Sequence, residues 1–153
     1  MATEFTDAQE VEQIATRIIG MQHSHLVEAK IIYIFREGGA WKSKGKEVLG
    51  QAQKCSAKDN FLNGGFDFTI TINKDAWKTM ADKQKKALVD HELMHCDKSD
   101  ENDEDGNPIW QTKDHEFVGF VQEIKSHGFW TEDLQRFDRV YKQITIFEVD
   151  KSA

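Results

Sequence analysis

Ala87 to Cys96 reads ALVDHELMHC, and within it His91, Glu92 and His95 stand at positions i, i+1 and i+4. The stretch holds no glycine or proline, and Asp82 stands where a helix can start, so the pattern predicts a helix from Asp82 to about Cys96. Four residues of helix are a little more than one turn. Both imidazoles therefore fall on one face, where they can share a zinc ion, while Glu92 is rotated by about 100° and reaches a water on that ion. On the same wheel Ala87, Leu88 and Met94 lie on the side of the histidines, and Val89, Leu93 and Cys96 form a second apolar side nearly opposite. A helix apolar on two sides is expected to be sandwiched, with the histidines at a buried interface where a shared metal satisfies both rings.

A catalytic zinc takes three protein ligands and keeps a fourth position for water. The third donor is sought downstream, where Asp114, His115 and Glu116 stand together 20 residues after His95. The pattern predicts a helix from Asp114 to His127, closed by Gly128, and a ligand at its start can point into a groove without disturbing packing. Gly119, one turn beyond His115, would leave room for the active helix. His115 is the preferred ligand and Glu116 the alternative. Phe117, Phe120, Val121 and Ile124 face away from His115, so that helix would pack with one side and address the metal with the other. His127 reads as a residue suited to the helix C-terminus.

Before the central helix, Val11, Ile14, Ala15 and Ile18 recur at helical spacing after a Thr6–Gln9 capping-box pattern, which predicts a helix from Asp7 to Met21. Leu26 to Arg36 is β-branched and aromatic on both faces, as in a central strand. Glu47 to Cys55 leans towards strand. Phe66 to Ile72 alternates strictly, with Phe66, Phe68, Ile70 and Ile72 inward and Asp67, Thr69 and Thr71 outward. If that strand lies at a sheet edge, it can pair with an extended peptide near the cleft. Asp75 to Met80 suits a short helical turn. Thr131 can cap a last helix whose stripe is Leu134, Phe137, Val140, Tyr141 and Ile144, and Ile144 to Val149 reads as a trailing extended segment.

The chain has 153 residues with one proline and no repeat, which suits a single domain over residues 1–153. The formal charge is −7, and Asp97 to Asp105 alone carries six acids and one lysine, so most of the acidity belongs to one predicted loop insert at about 97–107. Glu101, Asp103, Asp105 and Gly106 echo the first half of a calcium loop, but Thr112 stands where its closing glutamate belongs, so the segment reads as a solvated insert. Arg36 to Lys58 holds six basic residues against two acidic ones and reads as solvated surface; nucleic acid is not an expected partner. No apolar run approaches the roughly 20 residues that span a bilayer, and Met1 to Asp7 carries no export pattern, so a cytoplasmic site is expected and no membrane is. Cys55 and Cys96 then read as reduced thiols, Cys96 as a buried and inert one. His23 and His25 read as loop surface, and Asp90 or Asp114 is a possible orienting partner for a ligand histidine.

At FDFTITINKDAW, ALVDHELMHC, DHEF (Asp114 to Phe117) and HGFWTEDLQRF (His127 to Phe137) the chain resembles the putative phage metallopeptidase family, zincin-like proteins of bacteriophages and prophages. The resemblance covers roughly Ile31 to Phe137. It implies an α+β fold with a minimal zincin-like core, in which a small, mostly antiparallel sheet of about three strands packs on the HExxH helix. It also implies zinc held by His91, His95 and His115, with Glu92 as catalytic acid and base. The layout is similar to that of SprT-like proteases, without their separate zinc-ribbon cysteines.

The expected function is accordingly that of a zinc metallopeptidase, a hydrolase acting on a protein or peptide substrate in the cytoplasm of a bacterial host. Two other functions fit the same residues: a non-catalytic, zinc-stabilised phage protein that binds a host factor, and a DNA-associated protease of the SprT kind. Tyr141 and His127 are candidates for an additional oxyanion donor. Nothing in the sequence fixes the oligomeric state.

Overall fold

The structure, a computed structural model, describes residues 2–117 and 120–152, with side chains as far as Ile144. The chain divides into two compact units, Met1–Lys113 and Asp114–Ala153.

In the first unit a strand β1 (Glu4–Asp7) leads into helix α1 (Gln9–Gln22), and a tight turn at Ser24–Leu26 leads to β2 (Ile31–Glu37). A small hairpin of β3 (Lys42–Ser43) and β4 (Lys46–Glu47) precedes β5 (Gly50–Lys54), α2 (Ala57–Leu62) and β6 (Phe68–Asn73). Then come α3 (Lys74–Trp77), α4 (Asp82–His95), and a second hairpin of β7 (Cys96–Asn102) and β8 (Pro108–Thr112).

The main sheet has four strands in the order β1-β2-β6-β5, where β2 and β6 run parallel and the two outer pairings are antiparallel. The fold is therefore α+β with a small sheet, one strand larger than the sequence suggests. The added strand is β1, whose residues are all exposed and carry no apolar alternation to betray it. It takes up Thr6, so the expected capping box does not form, and Ala8 precedes the helix instead.

Burial explains the centre of the sheet. Phe68, Ile70 and Ile72 of β6 are wholly buried with Ile31 and Phe35 of β2, beneath Val11 and Ala15 of α1 and Val89 and Leu93 of α4. Each of these side chains apart from Ala15 stabilises the fold by about 1.5–3 kcal/mol relative to exposure. Because β5 pairs on the other side of β6, the Phe68–Asn73 strand is interior and not an edge, and Thr71 is buried. It cannot pair with a peptide; β1 and β5 are the edges.

Polar contacts fix α4 against α1. Lys85 Nζ lies 3.3 Å from Glu10 Oε1, and Trp77 Nε1 donates to Glu10 Oε2 at 3.2 Å. His23, which caps α1, is buried, and its Nε2 lies 2.7 Å from Asp90 Oδ1. His23 is thus not loop surface; His25 is exposed.

The acidic segment is not a loop. Its first half is the strand β7, paired in register Cys96↔Thr112 and Lys98↔Trp110, with a register shift before Asn102↔Pro108. Trp110 meets Phe68 edge-on, 5.9 Å between ring centres, so the hairpin is seated on the core. At its tip Asp103 Oδ1 accepts the N–H of Asp105 and of Asn107, and Gly106 adopts a φ of 79°. With strands on both flanks, an EF-hand is excluded.

In the second unit α5 (Val121–His127) begins where Glu123 Oε1 accepts the Phe120 N–H at 3.0 Å and ends at Gly128, whose φ is 65°. The helix thus starts at Val121, well after the expected Asp114, and Gly119 lies outside the described residues. Helix α6 (Glu132–Ser152) is continuous through the segment expected to be extended. Of its stripe, Leu134 is buried, while Phe137 lies among Phe117, Phe129 and Tyr141 with ring centres 4.9, 6.3 and 6.4 Å away.

Candidate metal centre

His91 and His95 project from the last turns of α4, their ring centres 5.1 Å apart. This is the single-turn spacing that the sequence predicts. The surroundings differ from expectation: Val89, Leu93 and Cys96 are buried as foreseen, but Ala87, Met94 and His91 are exposed and His95 is half-buried. The core of the first unit takes up the Val89 and Leu93 side of the helix and does not cover the side of His91 and Met94.

Glu92 is set deeper than the histidines and lines one cavity with His91. It is 4 % exposed, and its Oε2 has no protein hydrogen-bond partner. Burial pushes its carboxyl above the usual glutamate range, with the nearby His95 pulling weakly in the opposite direction. Gly50, the first residue of β5, lies against it: a Cβ there would stand 3.2 Å from Glu92 Cγ and 3.1 Å from Ile72 Cδ1. Glycine lets the edge strand run beside the carboxylate.

Cys96, the next residue after His95, is buried, and burial followed by the Glu92 charge pushes its thiol up to about 12. It is neutral and suited to packing, not to ligation.

The hairpin returns the chain to the end of α4. Lys113 N donates to His95 O at 2.8 Å, and His95 Nδ1 lies 2.7 Å from Lys113 O. A carbonyl only accepts, so Nδ1 carries the proton and Nε2 presents the lone pair, the form in which a histidine ligates a metal. Asp90 is engaged by His23 and does not orient either histidine of the motif. The orienting partner is a backbone carbonyl, which no side-chain pattern could reveal.

His115 follows two residues after Lys113, a span of about 7 Å at most. It is not at a helix start; residues 113–117 are non-helical, since the chain is still bonded to the end of α4 at Lys113. Among the described residues, His91, His95 and His115 form one group in which each offers a ring nitrogen and all these atoms lie within 4.8 Å of one another. Glu116 is not in that group. Three imidazoles with an acidic side chain at the residue after the first suit a borderline cation that keeps a coordination position open. Such a cation near Glu92 would also offset the cost of burying a carboxylate whose Oε2 has no protein partner.

The family model described as putative phage metallopeptidase matches residues 3–144. No curated protein and no solved structure matches the chain.

Proposed function

The chain belongs to the putative phage metallopeptidase family, and on that premise we propose that it is a zinc-dependent endopeptidase acting on proteins or peptides in the cytoplasm of a phage-infected or lysogenic bacterium. The observation that carries this reading is a three-histidine group with a buried carboxylate next to its first member, one oxygen of which lacks a protein partner. No helix among the described residues is long and apolar enough to cross a membrane.

His91, His95 and His115 would hold the ion. Bound zinc supplies Lewis acidity, lowering the pKa of a coordinated water towards about 7 and polarising the scissile carbonyl. Glu92 takes a proton from the attacking water as its oxygen bonds to the carbonyl carbon. The same carboxyl then gives that proton to the leaving nitrogen as the C–N bond breaks. Its raised pKa suits both halves of the cycle, because a group poised nearer neutrality accepts and returns a proton with less loss than an ordinary glutamate. Lys113, through its carbonyl, keeps His95 in the ligating tautomer. The edge strand β5 offers main-chain groups to an extended substrate, with Gly50 bringing that strand close to Glu92.

The test compares the zinc-loaded protein with Glu92→Gln on a mixture of unfolded proteins, with cleavage read by mass spectrometry. Glu92→Gln is expected to keep zinc and the fold while losing on the order of 10²–10⁴-fold in rate. Equal cleavage by the two proteins, or freshly purified protein without stoichiometric metal, would overturn the assignment.

A further inference from the structure

A cavity of about 520 Å³ opens beside His91 and Glu92, within the first unit. Val48 and Leu49 form one wall, just before β5; Met80, ahead of α4, and Ala87 and Leu88, about one turn before His91, form the other. Gln84 adds an uncharged polar group, and Glu92 is the only charged side chain in the lining.

The wall is braced from behind. The buried Asn73 donates its backbone N–H to Leu49 O and its side-chain amide to Val48 O, both at 2.9 Å, and Val48 N donates to Trp41 O at 2.8 Å. The Asn73 Oδ1 accepts the Ala76 N–H at 3.1 Å, so one side chain ties the wall to the end of the central strand and the start of α3. A wall held by three hydrogen bonds to its backbone is pre-formed, so little ordering is left for a ligand to impose.

We propose, resting on the peptidase reading, that this cavity receives the side chain of the substrate residue next to the scissile bond and selects large, uncharged apolar side chains. Its continuity with His91 and Glu92 places any occupant beside the reacting groups. A lysine or aspartate side chain entering it would be stripped of water against Val48, Leu49, Met80 and Leu88, which offer it neither a hydrogen bond nor a counter-charge. A leucine, methionine or phenylalanine side chain replaces water on those walls at no such cost. In apolar pockets a single methylene changes kcat/KM by about 10–200-fold, so leucine, three carbons larger, should exceed alanine by on the order of 1,000-fold or more.

The first experiment is independent of catalysis. Protein carrying ¹³C-methyl methionine, with and without zinc, is titrated with N-acetyl-leucinamide, N-acetyl-alaninamide and N-acetyl-lysinamide. The Met80 methyl resonance is expected to move with the leucine probe and hardly with the others, while the exposed Met94 stays still; Ala87→Trp, at an exposed helix position, should abolish the response. No response of Met80 to the leucine probe, or an equal one to the lysine probe, would overturn the proposal.

The second experiment maps cleavage sites in a peptide library. Large apolar residues are expected at one position flanking the cut, and Leu49→Glu should turn that preference towards lysine and arginine. Glu92-dependent cleavage with no apolar preference would refute the pocket and leave the peptidase reading intact. A responsive Met80 with no cleavage of any peptide would refute the peptidase reading and leave the pocket's selectivity intact.

Discussion

Replacing Glu92 by glutamine should make the metal-free protein more stable. The carboxylate is 4 % exposed and one of its oxygens has no protein partner, so the folded state holds a charged acceptor that water would solvate better. Leaving a buried polar group unsatisfied costs about 1–3 kcal/mol, and more when it is charged. Glutamine keeps the shape and removes the charge, recovering about 1 kcal/mol or more; Glu92→Met removes the polar atoms altogether and should recover at least as much. For a domain of this size that gain moves the urea midpoint up by roughly 0.5–1.5 M. The pH dependence has a fixed sign. Burial raises the folded-state pKa of this acid above its ordinary value of 4.5, so the wild type has its full stability below that value and loses it as the pH rises through the folded pKa. Urea denaturation in EDTA should therefore show the two proteins converging near pH 4 and separating towards pH 7. A glutamine variant no more stable than wild type at pH 7, or a difference that persists undiminished in acid, would show that the carboxylate is already satisfied and remove the physical ground for a catalytic role.

His115→Ala should lower the bound zinc measured by elemental analysis well below one ion per chain, whereas Glu116→Ala should leave it unchanged; the opposite result would transfer the third ligand to the carboxylate. Ile70→Ala, at a wholly buried position in the central strand, should cost about 2–5 kcal/mol in denaturant titration, and a loss under 1 kcal/mol would contradict the packing described. Cys96, pushed up to about 12, and Tyr33, pushed above the ordinary tyrosine range, both chiefly by burial, are neutral in the folded protein where an unfolded thiol at about 9 has begun to ionise. Their contribution is intact below pH 9 and is lost as the pH rises through the folded values, so stability should fall by up to about 1.4 kcal/mol per pH unit for each group, less steeply in Cys96→Ala.

The motif was legible because an i, i+4 spacing has one geometric meaning on a helix: His91, Glu92 and His95 needed no tertiary knowledge to be placed. The Phe68–Asn73 strand was legible for the same reason, since Phe68, Ile70 and Ile72 alternate. Its neighbours were not. Whether a strand is interior or at an edge depends on which other strands pair with it, and β5, with the sequence Gly-Gln-Ala-Gln-Lys, carries little apolar signal. The strand β7 was hidden by composition, because aspartate is depleted in sheets and Cys96–Asn102 holds three acids. Trp110 on the partner strand and its seat on Phe68 outweigh that preference. His115 is legible from residue type, but its setting is not, because the apolar spacing after it matches a helix while residues 114–117 are non-helical. The cavity beside Glu92 and the pairing of His23 with Asp90 join segments far apart in the chain, and only folding brings them together.

The bonds between Lys113 and His95 have an evolutionary corollary. They clamp the base of the β7–β8 hairpin, so the setting of His95 is decided at the base and is insensitive to what lies at the far end. The bend from Asp103 to Asn107 is thus a tolerant port: foreign peptide grafted there, a recognition epitope or a second module, would ride on the hairpin without loosening its root. Descendants of one ancestral chain could diverge widely in that bend while conserving the same chemistry.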